Sequence, residues 1–253
     1  MKAIGNNIGR LALALVVGAL ALAGALVAPA QAGTPGAWNL GYGNGSIAST
    51  GDVITNTSAT TISITITYSG APLNLTCPIF AGTFTYTVPS MAPAAAPGGT
   101  LSIPLSPPST ITTCTESITG NSVVVAIPPG TTFTLNVTAP SGATPGPYTG
   151  TLSGSLVIPA NSLTVMSYFF ANNAGTPPCV VQGPTNAGGL TVPGTYATST
   201  GVAQPSTATP FTLNTTVGSN PTCPFGTNAS LSASSKLTLV GPSGLTPTLV
   251  YMP

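Results

Sequence analysis

This chain of 253 residues holds three basic and two acidic side chains and no histidine. A soluble domain is typically about 25% charged. Catalysis that depends on histidine, and binding of nucleic-acid phosphates by clustered basic side chains, therefore lack the residues they need. Solubility then has to come from Ser and Thr hydroxyls, attached glycans or burial in a polymer.

Residues 1–32 are typical of a signal peptide. Lys2 and Arg10 give a positive start, residues 11–28 are an apolar run, and residues 30–32 (Ala-Gln-Ala) form a small-x-small cleavage signal. We therefore expect an exported protein that begins at Gly33 and has no membrane segment in its mature form. The apolar run also reaches the length of a membrane span, so an uncleaved anchor is the alternative.

Residues 33–45 form a Gly-punctuated N-terminal tail in which Trp38, Leu40 and Tyr42 alternate with smaller or polar residues. Alternation places these three side chains on one face of an extended strand. Such a strand would fill an open groove in the next subunit with main-chain hydrogen bonds and apolar side chains, which is donor-strand complementation. Serial donation does not close on itself, so it makes filaments. The alternative is that the segment is the first strand of its own sandwich.

Residues 46–253 are predicted to form an antiparallel β-sandwich head. In residues 61–68, Ile and Tyr alternate with Thr and Ser, which is the pattern of a half-buried strand. Residues 123–125 and 163–170 are apolar without alternation, which predicts strands buried on both faces. Short runs between frequent Gly and Pro are typical of immunoglobulin-like sandwiches. We expect one elongated head, with two lobes dividing near residue 159 as the alternative. Further alternating runs are residues 84–88, 101–105, 133–137, 152–158 and 231–239.

The cysteine content indicates disulfides. An even number of cysteines in an exported chain favours a disulfide framework, and their wide spacing lacks the close pairs of zinc sites. The pairing that we favour among the alternatives joins neighbours in sequence, since each bond then closes a moderate loop. It links Cys77 with Cys114 and Cys179 with Cys223.

N-glycosylation is predicted from the pattern Asn-x-Ser/Thr. Asn136 and Asn214 each follow an alternating run whose apolar residues lie on the opposite face, so a sugar there would stand in solvent. Glycans would offset the missing charge. The matching asparagines are Asn44, Asn56, Asn74, Asn136, Asn214 and Asn228.

The charged residues after the leader are Asp52, Glu116 and Lys236. A two-carboxylate glycosidase would need Asp52 with Glu116, and a glutamic-peptidase arrangement would need Glu116 with Gln182 or Gln204. None of these residues lies in a motif, so we expect no enzyme, cofactor or metal site. An alternative role for Lys236 is an isopeptide bond to Asn or Asp, assisted by a buried Glu116. The simpler interpretation places Lys236 on the outward face of a strand.

The leader, the nearly uncharged Thr- and Ser-rich β-pattern, the sequons, the cysteines and the apolar N-terminal tail together resemble the archaeal thread pilins. The resemblance implies glycosylated subunits with a fold similar to bacterial type I pilins, joined head to tail by donor strands. It implies donor residues at Trp38, Leu40 and Tyr42 and glycans at the sequon asparagines. Residues 147–151 (Pro-Tyr-Thr-Gly-Thr) separately resemble a hairpin of extracellular immunoglobulin-like modules.

The sequence therefore predicts a non-enzymatic subunit of an extracellular filament that serves cell-surface attachment or biofilm formation. Its expected partners are copies of itself and covalent N-glycans, without nucleic acid. Residues 249–252 (Leu-Val-Tyr-Met) are the second candidate for the donor strand. The alternative function is a monomeric glycosylated surface-layer component or adhesin that binds sugar through exposed aromatic side chains.

Overall fold

The computed structural model describes residues 33–57, 60–78, 84–107, 112–116, 122–168, 179–215 and 225–253. These residues belong to one compact unit that extends to Pro253. The predicted signal peptide lies outside the described residues. The strands are β1 (Ala37–Tyr42), β2 (Val53–Asn56), β3 (Thr61–Tyr68), β4 (Ala71–Pro78), β5 (Thr85–Thr87), β6 (Ala94–Ala95), β7 (Thr100–Leu105), β8 (Thr112–Glu116), β9 (Ser122–Ala126), β10 (Phe133–Thr138), β11 (Gly146–Pro147), β12 (Thr151–Ile158), β13 (Leu163–Tyr168), β14 (Cys179–Gly183), β15 (Leu190–Ala197), β16 (Val202–Pro205), β17 (Thr209–Thr212), β18 (Phe225–Leu231), β19 (Leu237–Val240) and β20 (Pro247–Met252).

The predicted all-β antiparallel class is confirmed. β3 shows why the alternating runs become strands, since Ile64 and Ile66 are buried while Thr65 and Thr67, which alternate with them, are not. β3 ends at a two-residue turn in which Ser69 and Gly70 both have positive φ, the geometry of a tight hairpin.

The structure bears on three further strand predictions. Residues 123–125 of β9 are buried on both faces, as their unbroken apolar run predicts. The companion prediction for residues 163–170 lies largely outside the described side chains. The run predicted over residues 231–239 is divided into β18 and β19, and between them only Lys236 forms a bridge, to Thr61.

Strands β2 to β5, β7 to β10 and β12 to β19 can be grouped, two successive strands at a time, into eight long segments. In each segment one strand belongs to one hydrogen-bonded sheet, and the next strand continues it in the other sheet. The segments are A (β2 and β3), B (β4 and β5), C (β7 and β8), D (β9 and β10), E (β12 and β13), F (β14 and β15), G (β16 and β17) and H (β18 and β19).

Each of the two sheets closes on itself. The first ring has the order β5-β2-β19-β16-β15-β12-β10-β7, and a bridge between Thr85 and Ser106 joins its ends. The second ring has the order β14-β13-β9-β8-β4-β3-β18-β17, and a bridge between Gln182 and Asn214 joins its ends. Both rings therefore carry segments A to H in the same cyclic order.

The connections are those of a closed meander, because every segment pairs with its neighbours in sequence and H returns to A. An immunoglobulin sandwich instead uses Greek-key connections between its sheets. The antiparallel class that the sequence predicts is therefore present, while the strand order differs from the immunoglobulin resemblance. Local alternation indicates which face of a strand is buried and carries no information on strand order. The fold class could therefore be predicted while the strand order could not.

The remaining strands form a third, four-stranded sheet with the order β11-β20-β1-β6, which we call the terminal sheet. β1 pairs with β20 along its whole length, from Ala37 opposite Met252 to Tyr42 opposite Pro247. β6 and β11 are two-residue strands that lie within the connections β5–β7 and β10–β12. The terminal sheet thus gathers four pieces that are far apart in the chain.

Candidate assembly site at the N-terminal strand

All six residues of β1 are buried. Trp38, Leu40 and Tyr42 are each 2% exposed and belong to the main hydrophobic core. The indole Nε1 of Trp38 donates a hydrogen bond to the carbonyl oxygen of Gly142 at 3.0 Å. Its ring packs edge-on against Tyr148, with centroids 5.9 Å apart, and tilted against Tyr251 at 5.3 Å. The apolar face that the sequence assigns to this segment is therefore a packing face.

The opposite face of β1 is covered as well. Asn39 is fully buried, and its amide nitrogen donates to the carbonyl oxygens of Thr34 at 3.1 Å and Ala37 at 3.0 Å. Its Oδ1 accepts the Thr34 backbone N–H at 2.7 Å. At Gly41 a Cβ would collide with the carbonyl oxygen of Ser46, so a larger residue does not fit there. Both faces are adapted to close contact.

Residues 43–52, which we call the hinge, connect β1 to β2. The hinge folds back on β1, because the Tyr42 N–H donates to the Ser46 carbonyl at 2.9 Å and the Ala48 N–H donates to the Leu40 carbonyl at 3.0 Å. Asp52 closes it: Oδ2 accepts the Tyr42 hydroxyl at 2.8 Å and the Ser49 backbone N–H at 2.8 Å. Burial, and then the bond to Asp52 and its charge, raise the pKa of Tyr42 above its usual value.

These contacts give β1, which contains the candidate donor residues, partners within its own chain. β1 lies between β20 and β6 of its own chain, as the alternative of a first strand requires. The second donor candidate, residues 249–252, is likewise paired within the chain as part of β20. Main-chain groups of a buried strand need partners, so β1 could serve another subunit only by exchanging one copy of this site for another.

The free edges of the terminal sheet are short. β6 and β11 are its outer strands and contain two residues each. Long unpaired edges template association with other chains, and short edges suppress it. Because the two rings are closed by bridges, the terminal sheet is the part of the described structure where a strand from another chain would most readily be accommodated.

One of the two favoured disulfides is present: Cys77 of β4 is bonded to Cys114 of β8. β4 and β8 share a short ladder, Leu75 opposite Glu116 and Thr76 opposite Thr115, and the disulfide joins the next opposing pair. It therefore secures the B–C seam of the second ring. The other pairing lies outside the described residues, because Cys223 and the side chain of Cys179 are not described.

The sequon asparagines divide into three groups by exposure. Asn56 is 2% exposed, and its Oδ1 accepts the Phe84 backbone N–H at 2.6 Å, so a glycan would have to displace buried structure, which argues against that sequon. Asn136 is half-buried and accepts a hydrogen bond from the Ser102 hydroxyl at 2.7 Å. The exposed sequon side chains are Asn44, Asn74, Asn214 and Asn228.

The charged residues occupy separate places. Asp52 is engaged by Tyr42 and Ser49, and Lys236 is exposed next to β19. Exposure of Lys236 argues against the isopeptide hypothesis, which needs a buried amine. Glu116 ends β8 in the second ring, and its side chain lies outside the described part. Gln182 lies in β14 of the second ring and Gln204 in β16 of the first.

The described residues offer neither a metal-binding cluster nor a membrane-spanning helix. Within these ranges, no group of three or more His, Cys, Asp and Glu side chains is arranged to hold a metal ion. No helix in the part of the chain that the structure describes is long and apolar enough to cross a membrane. The larger exposed apolar side chains there are Val53, at 42%, and Met91, at 67%, and neither is the aromatic platform that the adhesin alternative requires.

No protein-family model, curated protein or solved structure matches this chain. Function therefore has to follow from the geometry of the chain itself. Sequence reasoning missed the partners of β1, which are β20, β6 and Asp52. The sequence held one weak signal for the last of these partners. Asp52 is one of two acidic residues in the chain and follows Tyr42 by ten positions in a Gly- and Ser-rich stretch.

Proposed function

We propose that this protein is a structural subunit of an extracellular filament, joined to its neighbours by exchange of β1. In the isolated chain β1 fills the groove between β20 and β6, and in the filament the β1 of one copy would fill that groove in the next. The main-chain register and the packing of Trp38, Leu40 and Tyr42 would be the same in both states. The observation that carries this proposal is a completely buried N-terminal strand that lies outside both closed rings.

The hinge supports exchange. Residues 43–52 contain no strand of the rings or the terminal sheet and include Gly43, Gly45 and Gly51. Fully extended, this stretch would span about 35 Å, enough for β1 to reach a groove on an adjacent copy. Exchange of identical elements between copies is a low-cost route to association, because the interactions that β1 makes in its own chain form again in the neighbouring copy.

The surface supports a structural role over catalysis. The outer faces of the strands carry hydroxyls in place of charges, for example Thr65, which donates to Asn74 Oδ1 at 2.7 Å. Glycans at the exposed sequons would add hydration. The resemblance to thread pilins noted above points the same way, and secretion follows from the leader as part of the same proposal.

A disulfide trap tests the proposal. Ala37 and Met252 lie opposite each other at one end of the β1–β20 ladder. In an Ala37→Cys/Met252→Cys variant that is oxidised after assembly, exchange places the two new cysteines on different copies. Non-reducing electrophoresis should then show a ladder of covalent oligomers, and electron microscopy should show fibres. Single variants Ala37→Cys and Met252→Cys, treated identically, are the matched controls and should not form the ladder.

The alternative function is a monomeric, glycosylated surface component. The observation that favours it is the pairing of β1 within its own chain, together with the short edges of β6 and β11. In the same trap, cross-links found only within single chains would favour the monomer and overturn the filament. Covalent dimers without longer species would indicate reciprocal exchange, which closes on itself and would also overturn the filament.

A further inference from the structure

A cavity of about 60 Å³ lies inside the first ring, near its border with the second. One wall is formed by Leu135, Leu156 and Val192 from the adjacent strands β10, β12 and β15. The facing wall is formed by Ile62, from segment A, and Leu237, from segment H. Since one water needs about 10–15 Å³, the space has room for several waters.

The cavity has an apolar lining that leaves water few partners. Leu156 lies on the inner face between two buried residues, Leu135 and Val192, yet its own side chain is only half-buried. Ala203 and Ile62 line the same space and are also half-buried although they pack against the core. Their accessible surface therefore faces the cavity. A cavity with such a lining stays dry and takes up apolar molecules.

The cavity opens through a gap in the wall between segments G and H. The β16–β19 ladder ends with Ala203 opposite Leu237, and the β17–β18 ladder begins with Thr209 opposite Leu231. The residues between these ladders are not paired across the gap. Gln204 and Lys236 line the cavity and are exposed to solvent, so the cavity reaches the surface between them.

Lys236 gives the mouth of the cavity a positive charge. It is the chain's only basic residue beyond Arg10. No side chain that the structure describes forms an ion pair with it. An apolar cavity with a cation at its mouth is chemically complementary to a ligand with a hydrocarbon end and an anionic end.

We propose that this cavity binds short-chain carboxylates, with the hydrocarbon chain inside the first ring and the carboxylate beside the Lys236 amine. The volume suits a short chain of a few carbons, because a methylene group occupies about as much space as a water molecule. The site is independent of β1 exchange, because its wall is built from segments A, B and D to H and includes no residue of β1.

The test compares hexanoate with the neutral isostere hexan-1-ol, using the full mature chain, calorimetry and the melting temperature. Both ligands should bind and raise the melting temperature, since a ligand of the folded state stabilises it. Hexanoate should bind about two- to fivefold more tightly, which is the range of an exposed ion pair. Lys236→Gln should remove that difference and leave hexan-1-ol binding unchanged.

Two filling variants, Leu156→Phe and Ala203→Leu, locate the site. Each occupies the cavity from a different strand, so one remains informative if the other fails to fold. Any variant that retains a cooperative melting transition should lose binding of both ligands by at least tenfold. The proposal is overturned if neither ligand binds the unmodified chain, if the folded filling variants still bind, or if Lys236→Gln leaves the preference for hexanoate intact.

Discussion

The two rings and the terminal sheet differ in how far apart in sequence their paired strands are. In the rings every segment pairs with its neighbours in sequence, and only the A–H closure joins distant parts of the chain. The terminal sheet brings together β1, β6, β11 and β20, which are separated by whole segments. Ring contacts are therefore mostly local, while the terminal sheet depends on the rest of the fold being in place. The difference indicates that opening should begin in the terminal sheet.

The substitution with the largest expected effect on stability tests whether the terminal sheet opens before the rings. Trp38→Ala should cost about 3–5 kcal/mol of unfolding free energy, because it empties a buried site and leaves the Gly142 carbonyl without its indole donor. Native-state hydrogen exchange should show lost protection in β1 and β20 before any in the rings.

Phe133→Ala provides the comparison, because Phe133 is 0% exposed in β10 of the first ring. It should lower the free energy by a similar amount and reduce protection in the rings and the terminal sheet together. Equal loss of ring protection in Trp38→Ala would show that the two regions are one cooperative unit.

Removing the disulfide should have the next largest effect. The double change Cys77→Ser and Cys114→Ser should cost about 2–4 kcal/mol, measured by urea unfolding. The loss should appear first at the B–C seam, where β4 and β8 share few ladder pairs. Met91→Ala, at a side chain that is 67% exposed, is a control expected to stay within about 0.5 kcal/mol of the unmodified protein.

An alkaline titration should test the link between the two regions. Tyr196 of β15 is buried, and its hydroxyl donates to the Pro247 carbonyl of β20 at 2.7 Å. Burial raises the pKa of Tyr196, so the folded chain keeps a proton that the unfolded chain releases near pH ~10. The folded state then binds more protons, and stability should fall as the pH rises above ~10, by about 1.4 kcal/mol per pH unit for this residue.

Tyr196→Phe is the matched variant for that titration. It should cost about 1–2 kcal/mol at neutral pH by leaving the Pro247 carbonyl without its donor. Its stability should then decline less steeply at alkaline pH, with urea unfolding measured from pH ~8 to ~11. An unchanged slope would mean that other groups cause the alkaline loss.

The smallest effect is expected at the hinge. Asp52→Asn keeps an acceptor oxygen but removes the charge that holds Tyr42 and Ser49, so it should cost about 1 kcal/mol. Hydrogen exchange should become faster at the Ser49 amide and in β1, with the rings unaffected. Ser49→Ala keeps the backbone N–H that Asp52 accepts and should be neutral; an equal effect from it would rule out the Asp52 contact as the cause.

Local patterns allowed the strands to be predicted, and the reason is visible in β3 and β10. In β10 the buried Phe133, Leu135 and Val137 alternate with more exposed positions, so a period of two in the sequence matches a period of two in burial. The same rule identified the apolar face of β1. It gave no information about the opposite face of β1, on which Asn39 lies. Burial of Asn39 depends on backbone groups of Thr34 and Ala37 that only the folded strand brings near.

Partners could not be predicted, because they depend on long-range pairing. Asn56 lies in a valid sequon, yet its amide oxygen is bound to Phe84, which follows it by 28 positions and a hairpin. Ring closure rests on the Thr85–Ser106 and Gln182–Asn214 bridges, and neither pair has a sequence signature. For the same reason the donor-strand interpretation assigned residues 37–42 no partner within the chain, where β20 and β6 pair with them.

The pairing of β1 with β20 limits how early the terminal sheet can be completed. Ala37 is among the first described residues to be synthesised, and its ladder partner Met252 is among the last. Contacts between distant residues form slowly, since the loop between them must be ordered first. While the polypeptide is being made, β1 therefore lacks its long ladder partner β20 until every ring segment has emerged, with only the short β6 available earlier. During that interval β1 is an apolar strand exposed to any chaperone or companion chain nearby.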